Sequence, residues 1–173
     1  MDEPTLSLTE FAVLGVLAEE PAHGFAISKV LAPSGEVGRI ITVRRPLVYR
    51  ALDRLVASGM AQPRGVEPGN AGPKRTIHRV TRRGRNRLGA WLAKPVSHVR
   101  DMRIEFQLKL VLIERSGRSP LELVRAQLSA LGPTITALEE TPAGFDHLEL
   151  WRQHNAIAAA GYLDHLERIY STL

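Results

Sequence analysis

The chain has 173 residues, 44% of them hydrophobic and 24% charged, enough apolar material for one ordinary core or a small core with a helical appendage and too much for a disordered chain. It has no cysteine, which excludes disulfides and thiolate metal sites and fits a reducing compartment. The opening MDEPTLSLTE is acidic and polar where a secretory signal is basic and then apolar, and no apolar run reaches membrane-spanning length, so a soluble, cytoplasmic protein without a membrane partner is expected.

The first helix begins at Ser7, because Ser7 and Glu10 form an S-x-x-E capping box ahead of the apolar run Phe11 to Leu17. Pro21 ends it, since a residue before proline avoids the helical region. A second, shorter helix fits His23 to Leu31, burying Phe25, Ile27, Val30 and Leu31 and stopping at Pro33. Two glycines then precede the β-branched run Ile40 to Val43, read as a turn and a short strand. Next comes TVRRPLVYRALDRLVASG, residues 42 to 59. Val48, Ala51, Leu52, Leu55 and Val56 fall at helical spacing, while Arg45, Tyr49, Arg50, Asp53 and Arg54 stay on the other side. Pro46 suits a first turn and Gly59 the position just past the last, which bounds a helix from about Pro46 to Ser58. Cations and an aromatic ring on the start and outer face of a short capped helix suit a DNA major groove; a solvated surface helix fits this segment taken alone equally well.

After Gly59 the chain changes character. Met60 to Val66 and Arg75 to Val80 read as strands around the Gly- and Pro-rich EPGNAGPK, which makes a β-hairpin. Thr81 caps a further helix whose apolar edge is Leu88, Trp91 and Leu92. Its arginines at 82, 83, 85 and 87 lie at the wrong end of the helix dipole, a placement that makes sense if a phosphate meets them. Between Arg39 and Arg87 there are 13 basic residues and two acids, a local charge of +11 that leaves −6 for the remainder. Such a block points to a polyanion, with nucleic acid favoured over membrane because the cations sit among turns instead of along one apolar-faced helix.

Three helices, a strand and a hairpin in this order make a winged helix-turn-helix. The phrases LTEFAVLGVLAEEPAHGFAI, VYRALDRLVASGM, GPKRTIHRVTRRGR and HVRDMRIEFQLKL resemble the PadR family of bacterial transcriptional regulators, closely from about Leu8 to Leu92 and more loosely beyond. The resemblance implies a mainly α protein, with a winged helix-turn-helix DNA-binding domain over residues 1–93 and a helical C-terminal dimerisation domain over 94–173. On it, Tyr49 and Arg54 fall where the family has its Tyr and Arg in the recognition helix, and Gly72, Pro73, Lys74 and Arg75 fall on the wing motif. Two departures stand out. Phe25 replaces a common Tyr after His-Gly, read as a core position without effect on DNA binding, and His78 stands where an aromatic residue is usual.

The C-terminal part is helical. Met102 to Ile113 is apolar at Ile104, Phe106, Leu108, Leu110, Val111, Leu112 and Ile113, more than a surface helix needs, which suggests burial on two sides. Ser119, Pro120 and Glu122 open the next helix as a second capping box, which Gly132-Pro133 is expected to kink or break. TPAGFD makes a turn. A final helix from about Asp146 sets Leu148, Trp151, Asn155, Ala158, Tyr162, Leu166, Ile169 and Leu173 at alternating steps of three and four, a seam suited to a second copy of the chain. The joint Lys94 to Glu105 carries Pro95, Asp101 and several cations and is read either as a hinge set by ion pairs or as a solvated linker.

Catalysis and metal binding are not expected. His147, His154 and His165 share a helix face but lie about 10 and 16 Å apart along it, too far for one ion. No HExxH, nucleophile elbow or phosphate-binding glycine loop is present, so no catalytic or metal residue and no cofactor is assigned. The functional expectation is a homodimeric regulator, a repressor on a palindromic operator in double-stranded DNA, released by a small apolar or aromatic effector. Arg44, Arg45, Tyr49, Arg50 and Arg54 are assigned to DNA from the recognition helix, and Lys74 and Arg75 from the wing. Leu148, Trp151, Asn155, Tyr162, Leu166 and Ile169 are assigned to the dimer interface, and Trp151 also to an effector pocket. The competing expectation is a winged-helix adaptor that binds protein, which unlike a phosphate contact would be insensitive to salt.

Overall fold

The computed structural model describes residues 5–69, 72–140 and 146–172. The chain divides into two compact units, residues 1–91 and 92–173, each with its own core.

Unit one is ordered α1 (Leu8–Glu19), β1 (Ala22–His23), α2 (Gly24–Val30), α3 (Arg45–Ala57), β2 (Ala61–Gly69), β3 (Gly72–Val80) and the start of α4 (Arg82–Ala93). The capping box is formed in both directions: Ser7 Oγ accepts from the Glu10 N–H, and the Glu10 carboxylate accepts from the Ser7 N–H at 2.7 Å. Every residue from Glu10 to Leu17 is buried, so α1 is the central core helix. Phe11 stacks on Trp91 with ring centres 4.2 Å apart, which settles Trp91 as core.

α3 buries Val48, Ala51, Leu52 and Leu55, starts with a proline in its first turn and ends before Gly59, whose φ of +69° suits the terminating turn. Thr81 then ties three elements together. Its Oγ1 donates to the Gly59 carbonyl at 2.7 Å and accepts from the Gly84 N–H at 3.1 Å, capping α4 while holding the turn after α3.

Two expectations about strands are corrected. Residues 40 to 43 form no strand, because their N–H groups are bonded elsewhere: Ile41 to the Val37 carbonyl and Val43 to that of Leu31. The third strand is β1, and the sheet order is β1-β3-β2, all antiparallel. The hairpin strands also run further than the expected tip allowed, to Gly69 and from Gly72, with Asn70 and Ala71 outside the described residues. Pro63 is accommodated because β2 is an edge strand, and the register shift between Pro63 and Gly65 makes Arg64 the extra residue of a bulge.

Unit two holds a 3-10 turn (Val99–Arg103), α5 (Glu105–Arg115), α6 (Leu121–Glu140) and α7 (His147–Ser171). α5 is buried from Leu108 through Ile113, as its two-sided apolar pattern implies. Ser119 Oγ accepts from the Leu121 N–H at 3.3 Å at the start of α6. That helix runs on to Glu140 with Pro133 inside it, so Gly132-Pro133 does not end it. Pro133 is exposed and removes one N–H bond on a solvated face, while Leu131 and Ile135 on the buried face keep the helix packed. The expected turn at TPAGFD falls mostly on residues 141–145, outside the described residues.

α7 is capped by Asp146, whose carboxylate accepts from the Leu148 N–H at 2.9 Å, and buries Ala156, Ala159, Leu163 and Leu166. The expected seam is therefore divided. Leu148, Trp151, Tyr162 and Ile169 are exposed, Asn155 is half-buried and donates to the Trp151 carbonyl, and Leu166 is spent on packing within its own unit.

The joint after α4 is not a solvated linker. The fully buried Gln127 carboxamide accepts from the Val96 N–H at 2.7 Å and donates to the Val96 carbonyl at 2.9 Å. Lys109, also buried, donates to the Lys94 carbonyl at 2.6 Å and pairs with Glu105 at 2.9 Å. Burial pushes the Lys109 ammonium below the usual lysine value, and Glu105 opposes that shift. Among the described residues Asp101 forms an ion pair only with its neighbour Arg100, at 3.8 Å. Gln127→Leu keeps the volume but strands the Val96 N–H and C=O, so it is expected to cost unit two about 2 kcal/mol, measured by urea denaturation. An unchanged midpoint would remove Gln127 from that role.

Candidate nucleic-acid interface

The exposed side of α3 carries two stripes. Arg45, Tyr49 and Asp53 follow at intervals of four, and Leu47, Arg50 and Arg54 follow beside them at intervals of three and four. Each stripe borders its own recess.

The first stripe faces the wing. His23, Gly24, Phe25, Arg45, Tyr49, Asp53, Lys74, Arg75, Thr76 and His78 line an open cleft of about 410 Å³. β1 makes this possible: it pairs Ala22 with His78 and His23 with Ile77, which puts the start of α2 beside the wing. Gly24 lets α2 approach α3, since a Cβ there would lie 2.7 Å from Tyr49 Cε1. Phe25 lines this cleft, and three cations lie against its ring. The Arg45 guanidinium carbon lies 4.8 Å from its centre, that of Arg75 5.0 Å and the Lys29 ammonium 5.0 Å. Phe25 is thus half-buried at the heart of the basic cleft, a correction to its reading as a core position remote from binding. The His78 imidazole is pushed below the usual histidine value by burial, with Asp53 opposing the shift.

The second stripe borders a recess of about 200 Å³ with Ser7, Thr9 and Glu10 of the α1 start. Here Arg54 is already engaged. Its Nε lies 3.0 Å from Glu10 Oε1, an ion pair between a largely exposed guanidinium and a carboxylate that is 3% exposed. Glu10 thus joins the cap of α1 to α3, and Arg54 satisfies it. Arg44 and Arg50 are exposed, and Arg44 serves as N-cap of α3 without a side-chain capping bond.

Of the seven residues expected to meet DNA, the structure gathers Arg45, Tyr49, Lys74 and Arg75 in one cleft, leaves Arg44 exposed at the start of α3, sets the exposed Arg50 beside the second recess, and commits Arg54 to Glu10 there. The sequence reading missed His23 and Phe25. A two-residue strand carries no periodic signal, and only the His-Gly dipeptide marks the place. Arg82, Arg83, Asn86, Arg87 and Ala90 line a further open groove along α4. Among the described residues no group of His, Asp or Glu could hold a metal ion, and no helix is long and apolar enough to cross a membrane.

Residues 13–90 match the model of the transcriptional regulator PadR-like family. Among solved structures the chain is similar to PadR of Bacillus subtilis in complex with operator DNA, with 18% identity over 97% of this chain and 98% of that one and a TM-score of 0.50. It is also similar to smu.1604c from Streptococcus mutans UA159, with 17% identity, 96% and 98% of the two chains covered and a TM-score of 0.46. A search of curated protein sequences finds no match.

Proposed function

We propose that this chain, whose N-terminal unit is a PadR-like winged helix, is a homodimeric repressor that binds a palindromic operator in double-stranded DNA and is released by a small apolar or aromatic effector. One observation carries the DNA reading: cations from the recognition helix α3 and from wing strand β3 line a single open cleft. The B. subtilis protein whose fold this chain shares has been seen on operator DNA, which agrees with it. The dimer reading is supported by the exposed apolar stripe Leu148, Trp151, Tyr162 and Ile169 on α7. Trp151, the most exposed of these at 60%, is the residue offered to an effector, because an aromatic face in the open is available to a flat apolar ligand.

Arg50→Ala and Arg75→Ala separate the two kinds of contact. Arg50, exposed on α3, is assigned to a base edge, so its loss is expected to cost about 1–3 kcal/mol on the preferred site and to relax specificity there. Arg75, on the wing, is assigned to the backbone, so its loss weakens preferred and scrambled duplexes alike and flattens the salt dependence. Titrations of both variants against both duplexes at several salt concentrations decide it. Identical behaviour of the two variants would defeat the assignment, and salt-independent affinity of the unaltered chain would defeat the DNA reading.

A further inference from the structure

The geometry points to a phosphate-binding site built around Phe25, in which His23, Arg45 and Arg75, which line one cleft with it, meet one phosphodiester of the DNA backbone. This deepens the DNA-binding reading and rests on it.

The first ground is hydrogen-bond direction. His23 caps α2 with its Nδ1, which accepts from the Ala26 N–H at 2.9 Å. A ring nitrogen that accepts carries no proton, so the imidazole proton is on Nε2. That nitrogen lies 3.5 Å from Arg75 Nη1, which is also a donor. Two donors side by side cannot bond each other. They point to one shared acceptor supplied from outside, and a non-bridging phosphate oxygen accepts from several donors at once.

The second ground is the gathering of charge. Lys29, Arg45 and Arg75 come from α2, α3 and β3, and their charged groups all lie within 5.0 Å of the Phe25 ring centre. Among the described residues none of the three is recorded in an ion pair. Like charges around one ring, no more than about 10 Å apart, repel, and the ring's negative faces offset only part of that repulsion. An anion in the cleft would remove the rest. The aromatic ring thus acts as a positioning residue: it holds the flexible Arg45 and Arg75 side chains at the cleft, where a phosphate can meet them, so that less side-chain freedom is lost on binding. Asp53 on the same wall disfavours a second negative charge, which suits a singly charged phosphodiester over a free phosphate dianion.

Three variants of the full chain test this against a random-sequence 30-base-pair duplex. His23→Asn keeps a side-chain oxygen to cap α2 and deletes the Nε2 donor. Phe25→Leu keeps apolar bulk and deletes the ring face, whereas Phe25→Tyr keeps the ring. We expect His23→Asn and Phe25→Leu each to bind about fivefold to tenfold more weakly, with the slope of log K against log salt flatter by about 1, and Phe25→Tyr to match the unaltered chain. Thermal midpoints monitor folding, and the rescue by Tyr separates the ring's electrostatic role from bulk. Unaltered affinity in both His23→Asn and Phe25→Leu, or equal loss in Phe25→Leu and Phe25→Tyr, overturns the site. The two readings fail separately. A chain that binds no duplex, yet whose His23 ring resonances move with inorganic phosphate and not with chloride, keeps the anion site and loses the DNA function.

Discussion

On the proposed dimer, replacing Leu148 and Trp151 together by glutamate is expected to leave a monomer and to lower affinity for a two-half-site operator by about 100- to 10,000-fold. The size of the effect comes from linkage. Half-sites lie about 34 Å apart, and a dimer holding one of them presents its second reading head at high effective concentration, an advantage a monomer lacks. The two positions are chosen because they are exposed in the single chain, at 44% and 60%, while the packing of α7 uses Ala156, Ala159, Leu163 and Leu166. Charges at these sites should therefore spare the fold of unit two and oppose only an apolar contact between copies. Sedimentation of the double variant, with circular dichroism as the control for folding, provides the measurement. A dimer that persists with unchanged affinity would place the interface elsewhere.

Gly84→Ala is expected to destabilise unit one by about 3 kcal/mol, a penalty in the overpacking class, and so to lower its thermal midpoint by more than about 10 °C. The first turn of α4 passes so close to the end of α3 and the start of β2 that a Cβ on Gly84 would sit 2.2 Å from the Met60 carbonyl oxygen and 2.9 Å from Val80 Cγ2. Relief by a side-chain rotation is not available at the closer contact, because the Met60 carbonyl is backbone and already accepts from the Thr81 N–H at 2.9 Å. α4 would have to move away, and Thr81 would lose one of its bonds to Gly59 or Gly84. By contrast Gly89, on the same helix, has nothing within 4 Å of an added Cβ, so Gly89→Ala serves as the control and should be neutral or slightly stabilising. Equal midpoints for the two variants would contradict the packing argument.

Sequence alone determined those parts of this protein that are held by interactions between near neighbours. The Ser7–Glu10 box, Pro46 and Gly59 around α3, the Thr81 cap, the start of the last helix near Asp146 and the paired strands of the hairpin are each specified within a few residues, and each is found in place. The concentration of positive charge between Arg39 and Arg87 was equally legible, since it requires only counting.

Tertiary structure decided where the long side chains go. Arg50 and Arg54 look alike in the sequence, but only Arg54 comes within reach of the buried Glu10, and an acid in that setting binds the cation that reaches it. Residues 40 to 43 have strand-forming side chains, yet the turns after α2 satisfy their backbone, while β3 pairs with the two-residue β1 that no pattern announces. Pro133 stays inside α6 because Leu131 and Ile135 are buried on either side of it. Phe25 reads as core by composition, but α2, α3 and β3 each bring one cation to its ring. The decisive contacts, such as Arg54 with Glu10 and Arg75 with Phe25, join elements far apart in the chain, and their energies depend on which surfaces meet once the local elements have formed.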